Sequence, residues 1–146
     1  MPLYFEDVEV GFRFETSRRT VTEADLVAFA GISGDFNPLH TDKVFASESI
    51  YGERIAHGAL VLSLATGLRQ RTGVFDGTLM GLLEIRSWRF AAPVRIGDTI
   101  RVVNEIIELR ETSKPDRGIM VQRVDVLNQD NAVVESGELV TMLRRR

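Results

Sequence analysis

The chain has no cysteine among its 146 residues, which excludes a disulfide framework, thiolate catalysis and any cysteine-ligated metal site. A domain of this length buries roughly 70% of its unfolded surface, so it needs no covalent staple. Long apolar runs are also missing. The longest uncharged stretch, Ile55 to Leu68 with His57 neutral, is too short for a membrane span of about 20 residues and reads as a buried helix. Met1-Pro2-Leu3-Tyr4-Phe5-Glu6-Asp7 lacks the basic-then-apolar pattern of a secretory signal. The net charge of -3 argues against a nucleic-acid surface, and Arg144-Arg145-Arg146 is too short for a basic arm and reads as a solvated chain end. No His/Asp/Glu group has metal-ligand spacing, no glycine-rich phosphate loop follows a strand, and no serine sits in a nucleophile elbow. The expectation is a cytoplasmic protein with no cofactor, no metal, no nucleic-acid partner and no membrane association.

Repeats, low-complexity tracts and linkers are absent as well, so residues 1–146 read as one domain. The first half looks helical and the second half strand-rich, which indicates α+β rather than alternating α/β. A short strand is expected over residues 12–20. Thr22 then suits a helix N-cap, with Glu23 and Asp25 in the first turn, and the apolar spacing of Leu26, Phe29 and Ala30 runs out at Gly31 and Gly34. Thr41 suits the cap of a second short helix, Asp42 to Ser49. The segment from Gly58 to Leu68 is apolar on every face in its middle, which a helix tolerates only when surrounded by protein. A helix of about 14 residues spans roughly 21 Å, enough to cross a curved sheet.

From Thr78 onward the pattern predicts strands over residues 78–92, 98–111, 117–129 and 132–144. Lys114-Pro115-Asp116-Arg117-Gly118 and Asn128-Gln129-Asp130-Asn131 are turn sequences, so the last three strands are expected to form successive hairpins. Leu83 and Ile85 alternate in one phase while Trp88 and Phe90 sit in the other, and a bulge between them would reconcile the two.

Chemistry concentrates in Asp35-Phe36-Asn37-Pro38-Leu39-His40. Asp35 and His40 are five apart, so they would diverge by about 140° on a helix and face opposite sides of a strand. A loop broken by Pro38 lets both side chains converge. The other histidine, His57, precedes Gly58 at the expected start of the apolar helix. A glycine there lets a ligand approach the backbone, and an N–H with the helix dipole behind it suits an oxyanion.

This Asp-x-Asn-Pro-x-His run, followed some seventeen residues on by His57-Gly58 and an apolar helix, resembles the hydratase motif of the MaoC-like (R)-specific enoyl-CoA hydratases. The similarity extends through Ser113–Gly118 and Leu127-Asn128-Gln129, covering about residues 8–143. It implies a hotdog fold, a long central helix wrapped by an antiparallel sheet of about five strands. It implies a homodimer or a dimer of dimers, with active sites near the subunit interface. The substrate would be an acyl-CoA or acyl-carrier-protein thioester. Asp35 and His40 would be the catalytic pair that holds and activates one water. The N–H of Gly58 would hold the developing enolate, and Asn37 would order the loop. His57 suits an anchor for the helix start better than a proton carrier. Thr66 stands where some relatives carry a site hydroxyl, although a core-facing hydroxyl bonded to a backbone carbonyl is the plainer expectation. Arg86, Arg89, Lys114 and Arg117 read as solvated strand and turn cations.

Two other functions compete. The same residues serve a dehydratase acting on (R)-3-hydroxyacyl carrier protein, and a subunit that binds acyl thioesters without catalysis would keep the pocket alone. Hotdog thioesterases often place Asp or Glu on the central helix, and Gly58 to Thr72 has neither. The His-Phe-Pro-Gly run of the other common hotdog dehydratases is absent too.

Overall fold

The computed structural model describes residues 1–146. The strand expected over residues 12–20 is two short pieces, β1 (Arg13–Glu15) and β2 (Arg19–Thr20). Thr16 marks the break. Its N–H donates to the Val102 carbonyl at 3.0 Å, but the Val102 N–H is received by the Thr16 hydroxyl at 2.9 Å. A side chain thus replaces one ladder carbonyl, and the backbone is free to turn away.

Helix α1 (Glu23–Ser33) starts as its sequence demands. The Thr22 hydroxyl receives the Asp25 N–H at 3.3 Å, and the Asp25 carboxylate receives the Thr22 N–H at 2.8 Å. Gly31 lies inside the helix, and Gly34 ends it in the left-handed region at φ 76°. The helix expected over Asp42 to Ser49 is instead two short ones, α2 (Pro38–Thr41) and α3 (Lys43–Ser47). Thr41 caps neither. Its hydroxyl turns back to the carbonyls of Phe36 and Asn37, while Asn37 caps α2 and Asp42 caps α3. Pro38 begins α2, where its fixed φ suits a first turn and its missing N–H costs nothing.

Helix α4 (Gly58–Gln70) buries Leu60, Val61, Ala65 and Leu68. It is not enclosed on all sides within one chain: Ala59, Ser63, Thr66, Gly67 and Gln70 form an exposed stripe. Four long strands follow, β3 (Leu79–Phe90), β4 (Thr99–Glu111), β5 (Arg117–Leu127) and β6 (Val133–Arg144). The sheet runs β1-β4-β5-β6-β3, with β2 pairing the same strand as β1, and every pairing is antiparallel. Val61, Ala65 and Leu68 pack in one core with Val102, Val124, Val126, Val134 and Leu139, so α4 lies across the inner face of the sheet. This is the hotdog arrangement that the motif implied. Fully burying each such aliphatic side chain contributes about 1.5–3 kcal/mol.

The terminal arginines are not a free chain end. Arg145 pairs with Glu6 at 3.2 Å and Glu111 at 3.3 Å, and Arg146 pairs with Asp7 at 2.7 Å. The acidic N-terminal turn supplies partners that sequence distance conceals.

The phase change in β3 is a bulge. Register shifts between Arg86 and Arg89, and Ser87 adopts φ 51°. Across from it, Gly137 leaves room for the bulged backbone: a Cβ there would lie 2.7 Å from Trp88 Cε3, 2.9 Å from Trp88 Cα and 3.0 Å from the Arg86 carbonyl oxygen. Backbone atoms cannot yield cheaply. Gly137→Ala is therefore expected to destabilise the fold by about 1–3 kcal/mol, read as a lower urea midpoint at unchanged slope.

Candidate active site

The turn after α1 is built by short polar side chains. Ser33 Oγ donates to the Phe29 carbonyl at 2.7 Å and receives the Asp35 N–H at 3.1 Å. Asp35 Oδ1 receives the Asn37 N–H at 3.2 Å, and Asn37 Oδ1 receives the Leu39 N–H at 2.9 Å. These consecutive side-chain turns curl the chain sharply, and α2 then presents His40 back toward Asp35. The side-chain ligand atoms of Asp35, His40 and His57 all lie within 4.8 Å of one another. Sequence spacing named the first two as partners; the fold adds the third.

Each histidine is fixed by a carbonyl, which can only accept. His40 Nδ1 lies 2.7 Å from the Ile55 carbonyl oxygen, so Nδ1 carries the proton and Nε2 keeps a lone pair. His57 is 2% exposed, and its Nε2–H donates to the Asp35 carbonyl at 2.9 Å. The two imidazoles stack at 3.7 Å with 27° between planes, and Phe29 meets the His57 ring edge-on at 4.9 Å. Stacked rings send their in-plane lone pairs side by side, a poor arrangement for one metal ion whose ligands must converge.

Gly58 begins α4 directly after His57, whose side chain does not cap the helix. First-turn N–H groups have no partner within the helix, and here the dipole reinforces them. A Cβ at Gly58 would lie 2.5 Å from two carbons of the Phe90 ring, so any larger residue would have to push that exposed ring aside. Gly58, Ala59, Tyr51, Ile55, Phe90 and Glu135 are among the residues lining a cavity of about 450 Å³ at this end of the helix.

Asn37 spends its amide oxygen on capping α2. Thr66 donates to the Ser63 carbonyl at 2.7 Å, as the plainer expectation had it, but its side chain is exposed rather than core-facing. It lies eight residues along α4 from Gly58, about 12 Å at helical rise, and lines a different cavity. Arg86 pairs with Glu84 and Arg117 with Asp116, while Arg89 and Lys114 are exposed.

Glu135 escaped the sequence reading. It is 2% exposed and accepts a hydrogen bond from Trp88 Nε1–H at 3.0 Å. Burial pushes its carboxyl up to about 8, with the indole hydrogen bond opposing part of that rise. Its spacing of two from Gly137, Leu139, Thr141 and Leu143 was the available signal, since it places an acid in the inward phase of β6.

The raised carboxyl has a defined effect on stability. The unfolded side chain ionises near its ordinary 4.5, whereas the folded one keeps its proton to about 8. Stability is therefore fully present below about 4.5 and is lost progressively as pH rises toward about 8. Glu135→Gln removes that dependence. The variant is expected to match the parent near the lower limit and exceed it by roughly 4 kcal/mol near the upper one, measured by urea unfolding across the pH range.

Known proteins share this architecture. The MaoC like domain model matches residues 7–128. Protein MaoC of Klebsiella aerogenes is 46% identical over 99 residues, which cover 68% of this chain but 29% of that protein, so the chain spans under a third of that relative's length. The (R)-specific enoyl-CoA hydratase of Aeromonas caviae is 34% identical over 139 residues, covering 94% of this chain and 97% of that enzyme. Among solved structures, a monoamine oxidase regulatory protein from Archaeoglobus fulgius superposes with a TM-score of 0.93 at 35% identity, covering 99% of this chain and 96% of that one. With the motif, the fold and the family match in agreement, this chain belongs to the MaoC-like domain family.

Proposed function

We propose that the chain is a hydro-lyase that interconverts trans-2-enoyl-CoA and (R)-3-hydroxyacyl-CoA. The observation that carries this reading is the Asp35/His40 pair, held within 4.8 Å with the Nε2 lone pair of His40 left free by the Nδ1–H bond to Ile55. One water donates to His40 Nε2 and to the Asp35 carboxylate. As its oxygen bonds to C3 of the enoyl group, its proton passes to the pair, and the C2–C3 π electrons move toward the thioester carbonyl. The resulting enolate oxygen accepts from the Gly58 N–H, a kind of donor whose removal typically costs about 3 kcal/mol of barrier. The pair then returns the proton to C2, and the atoms of one water have been added across the double bond. Run backward, the same steps dehydrate a 3-hydroxyacyl thioester, on CoA or on a carrier protein.

The working unit is a homodimer. β3 stands at the sheet edge with one side unpaired, and Leu82, Leu83 and Ile85 on it are 48%, 52% and 41% exposed. A long apolar edge is a liability unless another strand covers it. The bare stripe of α4 also calls for cover. The expected solution mass is that of two chains, and Ile85→Lys is expected to shift it toward one; a monomeric parent protein would overturn this assembly.

Activity is tested with crotonyl-CoA by loss of the conjugated enoyl-thioester absorbance. The parent protein is expected to form the (R)-alcohol, and Asp35→Ala and His40→Ala are each expected to lose at least about 100-fold in kcat. A folded parent inactive on short, long and carrier-bound enoyl thioesters would overturn the hydratase assignment and favour a non-catalytic binding subunit.

A further inference from the structure

A second cavity, of about 420 Å³, opens at the other end of α4. Its one charged lining residue is Arg69, set among Thr66, Gln70, Phe75, Leu82 and Thr141. Arg69 reaches down to the inner face of the sheet, where its Nε–H donates to Asn104 Oδ1 at 2.5 Å and its Nη2–H donates to Gln122 Oε1. Asn104 and Gln122 are fully buried, and with their oxygens committed to Arg69 both of their NH2 groups are left without a protein acceptor. No carboxylate pairs with Arg69: the ion pairs of the fold all involve other cations. Desolvation lowers its guanidinium to about 10, which leaves it charged at neutral pH.

This corner is rich in donors and has a positive charge with no negative partner. It also interrupts the core, with the Val102/Val124/Leu139 cluster on one side and the Phe75/Ile106/Met120 cluster on the other. An unpaired cation and two unsatisfied amides at such a place oppose folding, and apolar side chains would serve stability better. An anionic oxygen ligand in the cavity would supply the counter-charge that Arg69 lacks. Between Gly58 and Arg69 the outer face of α4 exposes only small side chains, those of Ala59, Ser63 and Thr66 and the bare backbone of Gly67.

We infer that this cavity is an anion subsite for the far end of the acyl chain, so that the preferred thioester carries a terminal carboxylate where a fatty acyl group has a methyl. The inference rests on the hydratase assignment for its chemistry and on Arg69, positioned by Asn104 and Gln122, for its specificity. Arg69, held by the oxygens of the two amides, is the charged group that lines the cavity and supplies the contact to the carboxylate.

Two measurements on the full chain separate this subsite from the reaction itself. Saturated adipyl-, suberyl- and sebacyl-CoA are compared with hexanoyl-, octanoyl- and decanoyl-CoA by calorimetry, which needs no turnover. The corresponding 2-enoyl thioesters are compared by kcat/KM. At one chain length or more, the carboxylate form is expected to bind and react at least about tenfold better, the range of a hydrogen bond to a charged group. Arg69→Met is expected to abolish or invert that ratio, and Arg69→Lys to retain part of it. Tighter binding of the carboxylates without any hydration would keep the subsite and overturn the hydratase assignment. Hydration of methyl-ended substrates with equal or better efficiency and equal affinity at every length would overturn the subsite and keep the hydratase. The parent-protein ratios decide the matter even where Arg69→Met does not fold.

Discussion

The hydrogen bond from His57 Nε2–H to the Asp35 carbonyl joins two parts of the chain that would otherwise be independent, the loop after α1 and the first turn of α4. Through it the backbone of the candidate acid is registered to the helix that begins at Gly58, the candidate oxyanion donor. The same imidazole supports the His40 ring by stacking, and its Nδ1 is buried without a partner. Because His57 is buried and its Nε2 proton is committed to a carbonyl, it holds position instead of exchanging protons with substrate. The loop itself contributes few apolar contacts, and Asp35, Phe36, Asn37 and Pro38 are all exposed. Its geometry therefore depends on this anchor and on short Asx and Ser bonds more than on packing.

A site assembled in this way divides its work between rigid and open parts. Helix α4 is held by the sheet along one side, which fixes Gly58, and the Phe90 ring lies close over that glycine. The opposing face of the helix and the edge of β3 remain uncovered in one chain. Asp35 and the apolar β3 edge are both exposed, and on the proposed reading these are the surfaces that meet substrate and a second copy.

The strands and the long helix were legible because their signals are local. Hairpin turns, β-branched runs and a uniform apolar stretch each act over a few residues, and β3 to β6 lie within a few residues of their expected bounds. The Leu83-Ile85 to Trp88-Phe90 phase change marked the bulge for the same reason. What the sequence concealed depends on distant partners. Thr16 splits its strand through Val102, Asp42 displaces Thr41 as a cap because that hydroxyl is already engaged, and Arg145 and Arg146 find Glu6 and Asp7 at the opposite terminus. Asp35 and His40 were visible as a motif, yet the tautomer of His40 depends on Ile55, and no spacing rule could supply that.

Glu135 and the Arg69–Asn104–Gln122 group lie toward opposite ends of α4. Both break the apolar rule of the core, and Glu135 and Arg69 each line a cavity. A sheet with alternating side chains has no structural need for either, because valine or leucine at those positions would pack without desolvating a charge. The two sites differ in kind. Glu135 is neutralised by its burial and satisfied in part by the Trp88 indole, so it can lie against a neutral chain. Arg69 keeps its charge and lacks a counter-ion, so its surroundings are complete only when a negative group is present. The two ends of α4 therefore differ in polarity: the cavity beside Gly58 meets a neutral carboxyl, and the cavity beside Arg69 meets a positive charge that the fold itself leaves without a counter-ion.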